Sequence, residues 1–274
     1  MKSLPSLPAL YNQIMSELEA ENPSADRVGK IISQDISMSA KVLQLVNSAF
    51  FGLPRHVSNP EQATVLLGLE TIRDLVVSIH VFSQFDQNKL ATLGLTELWD
   101  HSMRVATFAK LITKTVSQDK VMQDMAFMAG ILHDVGKLVL ADAMAKEYYS
   151  TMEIANQRKV PLYIVEKAVF GAPHSEVGAF LLGLWGLPES VVEATSMHHN
   201  VKEYPNESFT PTTAVHVADA IDHALNSGQI KGSVPEVDME YLNRLNVAGR
   251  IEIWKKMCAK EDERAKAAPK TNPI

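Results

Sequence analysis

Gly130-Ile131-Leu132-His133-Asp134-Val135-Gly136-Lys137 is the stretch that decides how the rest of this chain is understood. It sets two metal-competent side chains next to each other inside an apolar, helix-like run, with a lysine one turn on. An aspartate is almost never fully buried unless it is paired or bound to a metal. A core helix with a stray polar pair is therefore the strained explanation, and a site of some kind is the better one. The helix carrying the octet is expected over about Lys120 to Leu140, with Met125, Met128, Ala129 and Leu132 on its buried side. Its methionines are read as core filling, not as ligands.

Working outward, the same helical spacing recurs along the chain. Before the octet, a helix beginning near Glu97 places His101, Val105, Phe108 and Ile112 on one face, so His101 points inward. After it, helices are expected over Ala145 to Gln157, after Pro161, and from His174. There Val177, Phe180, Leu181 and Leu184 form a stripe that ends at Trp185-Gly186-Leu187-Pro188. The next aligns Val191, Thr195 and His198, and the helix opened by Pro211 carries Ala214, Val217, Ala218, Ile221 and Leu225. A last helix is expected from about Met239 to Ala259.

The first 85 residues are expected to contain short helices over about 9–21, after a cap at Ser24 or Asp26, from near Ser37 to the Asn47–Gly52 stretch, and over about 61–67 and 70–85. The last has a clean stripe of Ile72, Leu75, Val76, Ile79 and Phe82 and no catalytic chemistry. Leu4-Pro5-Ser6-Leu7-Pro8 is extended by its prolines, and the polar stretch from Asp86 to Gly94 is the best candidate for a boundary.

Composition fits this pattern. Of 274 residues, 46% are hydrophobic and only 7% aromatic, and Ala, Leu, Met, Glu and Lys are frequent, so the fold class is all-α. The net charge of -6, with no basic stripe, argues against a nucleic-acid partner. No 18-residue apolar span and no cationic start before an apolar run suggests a membrane or export. One cysteine, Cys258, fits a reducing compartment, and the expected location is cytoplasmic. Cys258 has no plausible base nearby, and neither a glycine-rich phosphate loop nor a Gly-x-Ser-x-Gly elbow is present.

Candidate ligands accumulate in the second half: His101, His133, Asp134, His174, His198, His199 and Asp219, on at least five helices or helix starts. A single imidazole on a core face is more often a hydrogen-bonded structural residue. Seven such groups in the second half, against none comparable in the first, shift the balance, since helix faces that end in His or Asp are what a bundle-core metal site looks like. Mixed imidazole and carboxylate donors suit Fe, Mn, Zn or Co better than Ca or Mg. Lys137 could neutralise a phosphate oxygen, or be a solvated cation at a helix end. His216 and His223 flank Asp219, but no apolar face directs them inward; His56 is expected in an exposed loop and His80 as a half-exposed helix residue.

The octet, preceded by Trp99-Asp100-His101-Ser102, resembles the HD phosphohydrolase superfamily, and more narrowly the HDOD domain family of bacterial signalling proteins. Further matching stretches are Leu45-Val-Asn-Ser-Ala-Phe-Phe-Gly52, Leu66-Leu-Gly-Leu69, His174-Ser-Glu-Val-Gly178, Trp185-Gly-Leu-Pro188 and His198-His199. The resemblance covers roughly residues 4 to 225. It implies an all-helical fold with an N-terminal helical subdomain (1–90) packed on an HD-like multi-helix core (91–260); the charged, proline-containing end (261–274) is expected to be a flexible tail.

It also implies a ligand set of His101, His133, Asp134 and Asp219 for one divalent Fe- or Mn-type metal, and His174, His198 and His199 for a second, with Asp134 bridging. Many HDOD members act through protein partners, so a regulatory role in bacterial signal transduction is the first expectation, with any metal structural or vestigial. A metal-dependent phosphohydrolase taking a phosphoester such as a nucleotide or phosphodiester, with Asp134 and Lys137 in catalytic roles, is the second. The HD-GYP relatives that cleave cyclic di-GMP carry a Gly-Tyr-Pro signature after the paired histidines. Here His199-Asn200-Val-Lys-Glu-Tyr204-Pro205 stands in its place, which argues against that substrate.

Overall fold

The computed structural model describes residues 9–48, 51–53, 56–83, 85, 94–226 and 235–267. The expectations for 4–8, for the boundary stretch 86–93, for the loop at 227–234 and for the chain after 267 lie outside these residues. All regular structure among the described residues is helical, and their contacts divide the chain into two compact units: 1–84 with 262–274, and 85–261.

The first unit contains α1 (Ala9–Leu18), α2 (Ala25–Ser33), α3 (Ile36–Val46), α4 (Pro60–Leu67) and α5 (Leu69–Ser83). Their starts are written in the sequence. The Ser24 and Asp35 side chains accept from the backbone N–H of Arg27 and Met38, and Asn59 caps α4 with Pro60 at its first position. Ile72, Leu75, Val76, Ile79 and Phe82 of α5 are buried, as their spacing predicts. His56 is exposed and His80 half-buried, also as expected.

The second unit contains α6 (Leu95–Val116), α7 (Lys120–Leu132), α8 (Val135–Ala143), α9 (Ala145–Arg158), α10 (Leu162–Phe170), α11 (His174–Leu184), α12 (Glu189–Met197), α13 (Pro211–Leu225) and α14 (Met239–Arg244), with α15 (Ile251–Ala267) beginning in it. The α6–α7 hairpin is the most extensive contact. Against it lies α13, which also touches α12, while α11 packs on α8 and α12. Trp254 on α15 donates from Nε1 to Thr115 Oγ1 at 2.8 Å, fixing that helix to the end of α6.

Three sequence expectations change. The helix expected over 120–140 is two helices, broken at His133-Asp134. The helix expected over 239–259 is also two, parted where Asn246 adopts φ +58. Its second part continues to Ala267, into the segment expected to be tail. There Asp262 is buried and pairs with Lys266 at 2.6 Å, four residues on, as a helix favours. Finally, Phe180 and Leu184 are exposed, and α11 buries His174, Ser175, Gly178, Ala179, Leu181 and Leu182 instead. Gly178 sets that face, because a Cβ there would lie 3.0 Å from the Gly136 nitrogen and α11 meets α8 through the gap it leaves.

Candidate metal centre

On an unbroken helix, adjacent side chains point roughly 100° apart. The break between α7 and α8 removes that obstacle. Asp134, with φ -99 and ψ 7, caps α8 from outside the helix, and its carboxylate faces the same space as the His133 ring. The two glycines of the octet set the walls. A Cβ on Gly130 would lie 2.4 Å from Ala106 Cα, so α7 crosses α6 backbone against backbone and brings His133 to His101. A Cβ on Gly136 would lie 1.9 Å from the His174 carbonyl oxygen, so α8 crosses α11 in the same way and brings Asp134 to His174.

The result is two groups of donors joined by one carboxylate. His101 Nε2 stands 3.2 Å from His133 Nε2, 3.3 Å from Asp219 Oδ1 and 3.5 Å from Asp134 Oδ2. On the other side, Asp134 Oδ1 is 3.2 Å from His174 Nε2, which is 3.2 Å from His199 Nε2; the His198 and His199 rings are 4.0 Å apart. All seven ligand candidates therefore come together, and Asp134 presents one oxygen to each group. Lys137 Nζ lies 2.5 Å from Asp134 Oδ2. The side chains of Lys137, His199 and His223 are 15%, 10% and 10% exposed, and the remaining donors less.

Four of the imidazoles are oriented through Nδ1. Nδ1 of His133 and His198 donate to the carbonyls of Gly130 and Thr195, each at 2.8 Å. Nδ1 of His101 donates to Asp222 Oδ2 at 2.7 Å, and Nδ1 of His174 to Glu166 Oε2 at 2.6 Å. Each bond turns Nε2 toward the cluster, which is how metal-binding histidines are oriented by their outer partners. The carboxylates are anchored in turn. Arg104 donates to both oxygens of Asp222, while Glu166 accepts from the His174 backbone N–H and the Tyr148 hydroxyl, each at 2.8 Å.

His198 Nε2, Asp134 Oδ1 and Asp219 Oδ1 are fully buried and have no hydrogen-bond partner. Buried polar atoms rarely go unsatisfied. Three of them, all on ligand candidates, fit a divalent cation or pair of cations held by nitrogen and carboxylate donors.

The acid–base behaviour agrees with an anionic cluster that seeks positive charge. Burial pushes the Asp134 carboxyl up, but His133, Lys137 and His174 outweigh it and hold it well below its ordinary value. Asp219 is held down likewise by His223 and His101. Burial lowers His101 and His174, yet Asp219 and Asp222 around the first, and Glu166 beside the second, raise both to about 9. His198 falls to about 3, from burial first and then from His133 and His174.

Two expectations are corrected. His216 and His223 are buried, because α13 is enclosed on every side from Pro211 to His223 and has no solvent face for a polar residue to occupy. His216 is a brace, since Nδ1 donates to the His198 carbonyl and Nε2 accepts from the Asp238 N–H. His223 Nε2 lies 3.2 Å from Asp219 Oδ1. Asp222 and His223, three and four residues after Asp219, carried a helical-spacing signal that the apolar-stripe criterion hid. Glu166, Tyr148 and Arg104 carried none.

A profile of the HDOD domain matches residues 4–201. An uncharacterized protein of Treponema pallidum (strain Nichols) is 27% identical over 207 residues, 74% of this chain and 39% of that protein. The cyclic di-GMP phosphodiesterase CdgJ of Vibrio cholerae is 28% identical over 146 residues, 53% of this chain and 32% of CdgJ. The chain thus spans well under half the length of these relatives. The crystal structure of an HDOD domain protein from Geobacter sulfurreducens superposes with a TM-score of 0.76 at 25% identity, covering 97% of this chain and 92% of that one. No helix among the described residues is long and apolar enough to cross a membrane.

Proposed function

Because the chain belongs to the HDOD domain family, we propose that it is a bacterial, cytoplasmic signal-transduction protein that acts through protein partners, with a His/Asp divalent-metal centre in its second unit. In this reading residues 1–90 are the N-terminal helical subdomain and 91–260 the HD-like core. The observation that carries it is enclosure: no side chain of the donor set or Lys137 is more than 15% exposed. Such a centre is suited to setting the packing of α6, α8, α11 and α13 more than to admitting a bulky substrate.

A phosphohydrolase acting on a nucleotide or phosphodiester is the second reading, favoured by the completeness of the donor set and its unsatisfied atoms. A bound Fe- or Mn-type pair would supply Lewis acidity at a phosphoryl oxygen. The chain itself would contribute the oriented Nε2 lone pairs, the two-sided Asp134 carboxylate and the Lys137 ammonium to balance phosphate charge. Against it, that ammonium is engaged with Asp134 Oδ2 at 2.5 Å.

Elemental analysis of anaerobically purified protein, paired with a phosphoester panel and with His133→Ala and Asp134→Ala as controls, separates the two. Bound metal without turnover supports the regulator. Turnover lost in both variants supports the hydrolase.

A further inference from the structure

The cation pair implied by the family leaves two buried imidazoles over, and of these His216 has both ring nitrogens engaged with backbone groups. His223 projects from α13 one turn after Asp219, a spacing that puts both side chains on the same helix face. Its Nε2 stands 3.2 Å from Asp219 Oδ1, and His101 Nε2 stands 3.3 Å from that same oxygen. Ligands about 2.1 Å from a metal are roughly 3.0–3.4 Å from their neighbours in octahedral or tetrahedral arrangements. Despite two ring nitrogens at such distances, Asp219 Oδ1 has no hydrogen bond. The three atoms lie within 4.8 Å of each other, close enough to share one ion. The His101 and His223 rings are 4.9 Å apart and tilted by 55°, so they do not stack face to face.

We propose that His223 is a ligand of the same divalent cation as His101 and Asp219, an assignment that rests on the metal-centre reading above. His101 Nε2 has one lone pair and can serve only one cation. The trios His101/His133/Asp134 and His101/Asp219/His223 are then two sides of one coordination sphere. That cation has five protein donors, whereas the second, held by His174, His198, His199 and Asp134, has four. Five donors of this kind suit a six-coordinate first-row ion such as Fe, Mn, Co or Ni better than tetrahedral Zn.

Cobalt(II) titration of the full-length, metal-free protein tests this, followed by visible absorption and competition with a chromophoric chelator. Wild type takes up two ions. In His223→Ala one site weakens by at least about tenfold, a loss at or above that for outer-shell partners, and its visible spectrum changes while the other site keeps its affinity. His223→Asn, which retains polar bulk without an imidazole, gives the same result, and the retained second site reports that the variants fold. Unchanged affinities and spectra in both variants overturn the His223 assignment alone. A wild type that takes up no cobalt overturns the metal centre, and His223 with it.

Discussion

A methyl group on Gly136 would lie 1.9 Å from the carbonyl oxygen of His174 and 2.8 Å from the Gly178 nitrogen. The two helices meet without a side chain between them, and Gly178 is the matching gap on the other side. Asp134 precedes Gly136 by two residues, so this contact sets how far its carboxylate stands from the His174 ring. The 3.2 Å separation of those groups is a consequence of two glycines.

Gly136→Ala therefore forces α8 and α11 apart. Overpacking costs about 1–3 kcal/mol, and backbone meeting backbone places this substitution at the upper end. Urea denaturation should show that loss, and chelator competition should show weakened metal binding. Gly183 lies on the same helix as His174 with nothing near its Cβ position. Gly183→Ala should instead stabilise by roughly 0.5–1 kcal/mol, the helix propensity difference. Equal effects from the two would refute the close-contact account.

Glu166 is fully buried and holds the His174 ring, the His174 backbone and the Tyr148 hydroxyl. Glu166→Gln removes the charge that favours the Nδ1 proton and the basicity of Nε2. Affinity for the second cation should drop by about 10–100-fold, the usual effect of losing an outer-shell partner. A chelator competition showing less than a twofold change would contradict this.

Protons and metal compete for the same nitrogens. His101 and His174 have folded pKa values of about 9, above the ordinary 6.5. In metal-free protein their contribution to stability is complete below pH 6.5 and is lost as pH rises to 9. His198, lowered to about 3, works oppositely: its contribution is present above pH 6.5 and is lost as pH falls toward 3. Asp222, at about 2, adds a further loss below its ordinary 3.8. With chelator present, urea midpoints should peak near pH 6.5. With metal, protons leave His101 and His174, so titration calorimetry in buffers of different ionisation enthalpy should detect proton release, and affinity should climb up to pH 9. A chelated protein whose stability rises steadily from pH 5 to 9 would rule this out.

How much of this was legible follows from what each signal depends on. Most helices and all seven candidate donors stand at local spacings or beside Gly and Pro, so the chain order reveals them. The break at His133-Asp134 does not show in periodicity, because the apolar residues continue through it; only Asp134's conformation reveals it. His223 was discounted because amphipathic reasoning assumes a wet face, and α13 has none before Ala224. Glu166 is silent in sequence because its role comes from α10 turning back beside α11, a tertiary fact.

Lys137 offers the sharpest test of what the centre is for. Its ammonium lies 2.5 Å from Asp134 Oδ2; burial alone would lower its pKa, but Asp134 raises it, so it is charged at neutral pH. A cation using that oxygen meets a like charge, and two unit charges about 4 Å apart repel by about 4 kcal/mol at an effective dielectric of 20. Even half of that exceeds a factor of ten in affinity. Lys137→Met, which keeps the length and apolar stem, should therefore bind divalent ions at least about tenfold more tightly than wild type. If the ammonium exists to meet phosphate, turnover of a phosphoester should fall in the same variant. If it exists to hold the cluster closed without metal, the variant binds tighter and neither protein turns substrate over. Unchanged or weaker metal binding would mean that Lys137 does not compete for Asp134 at all.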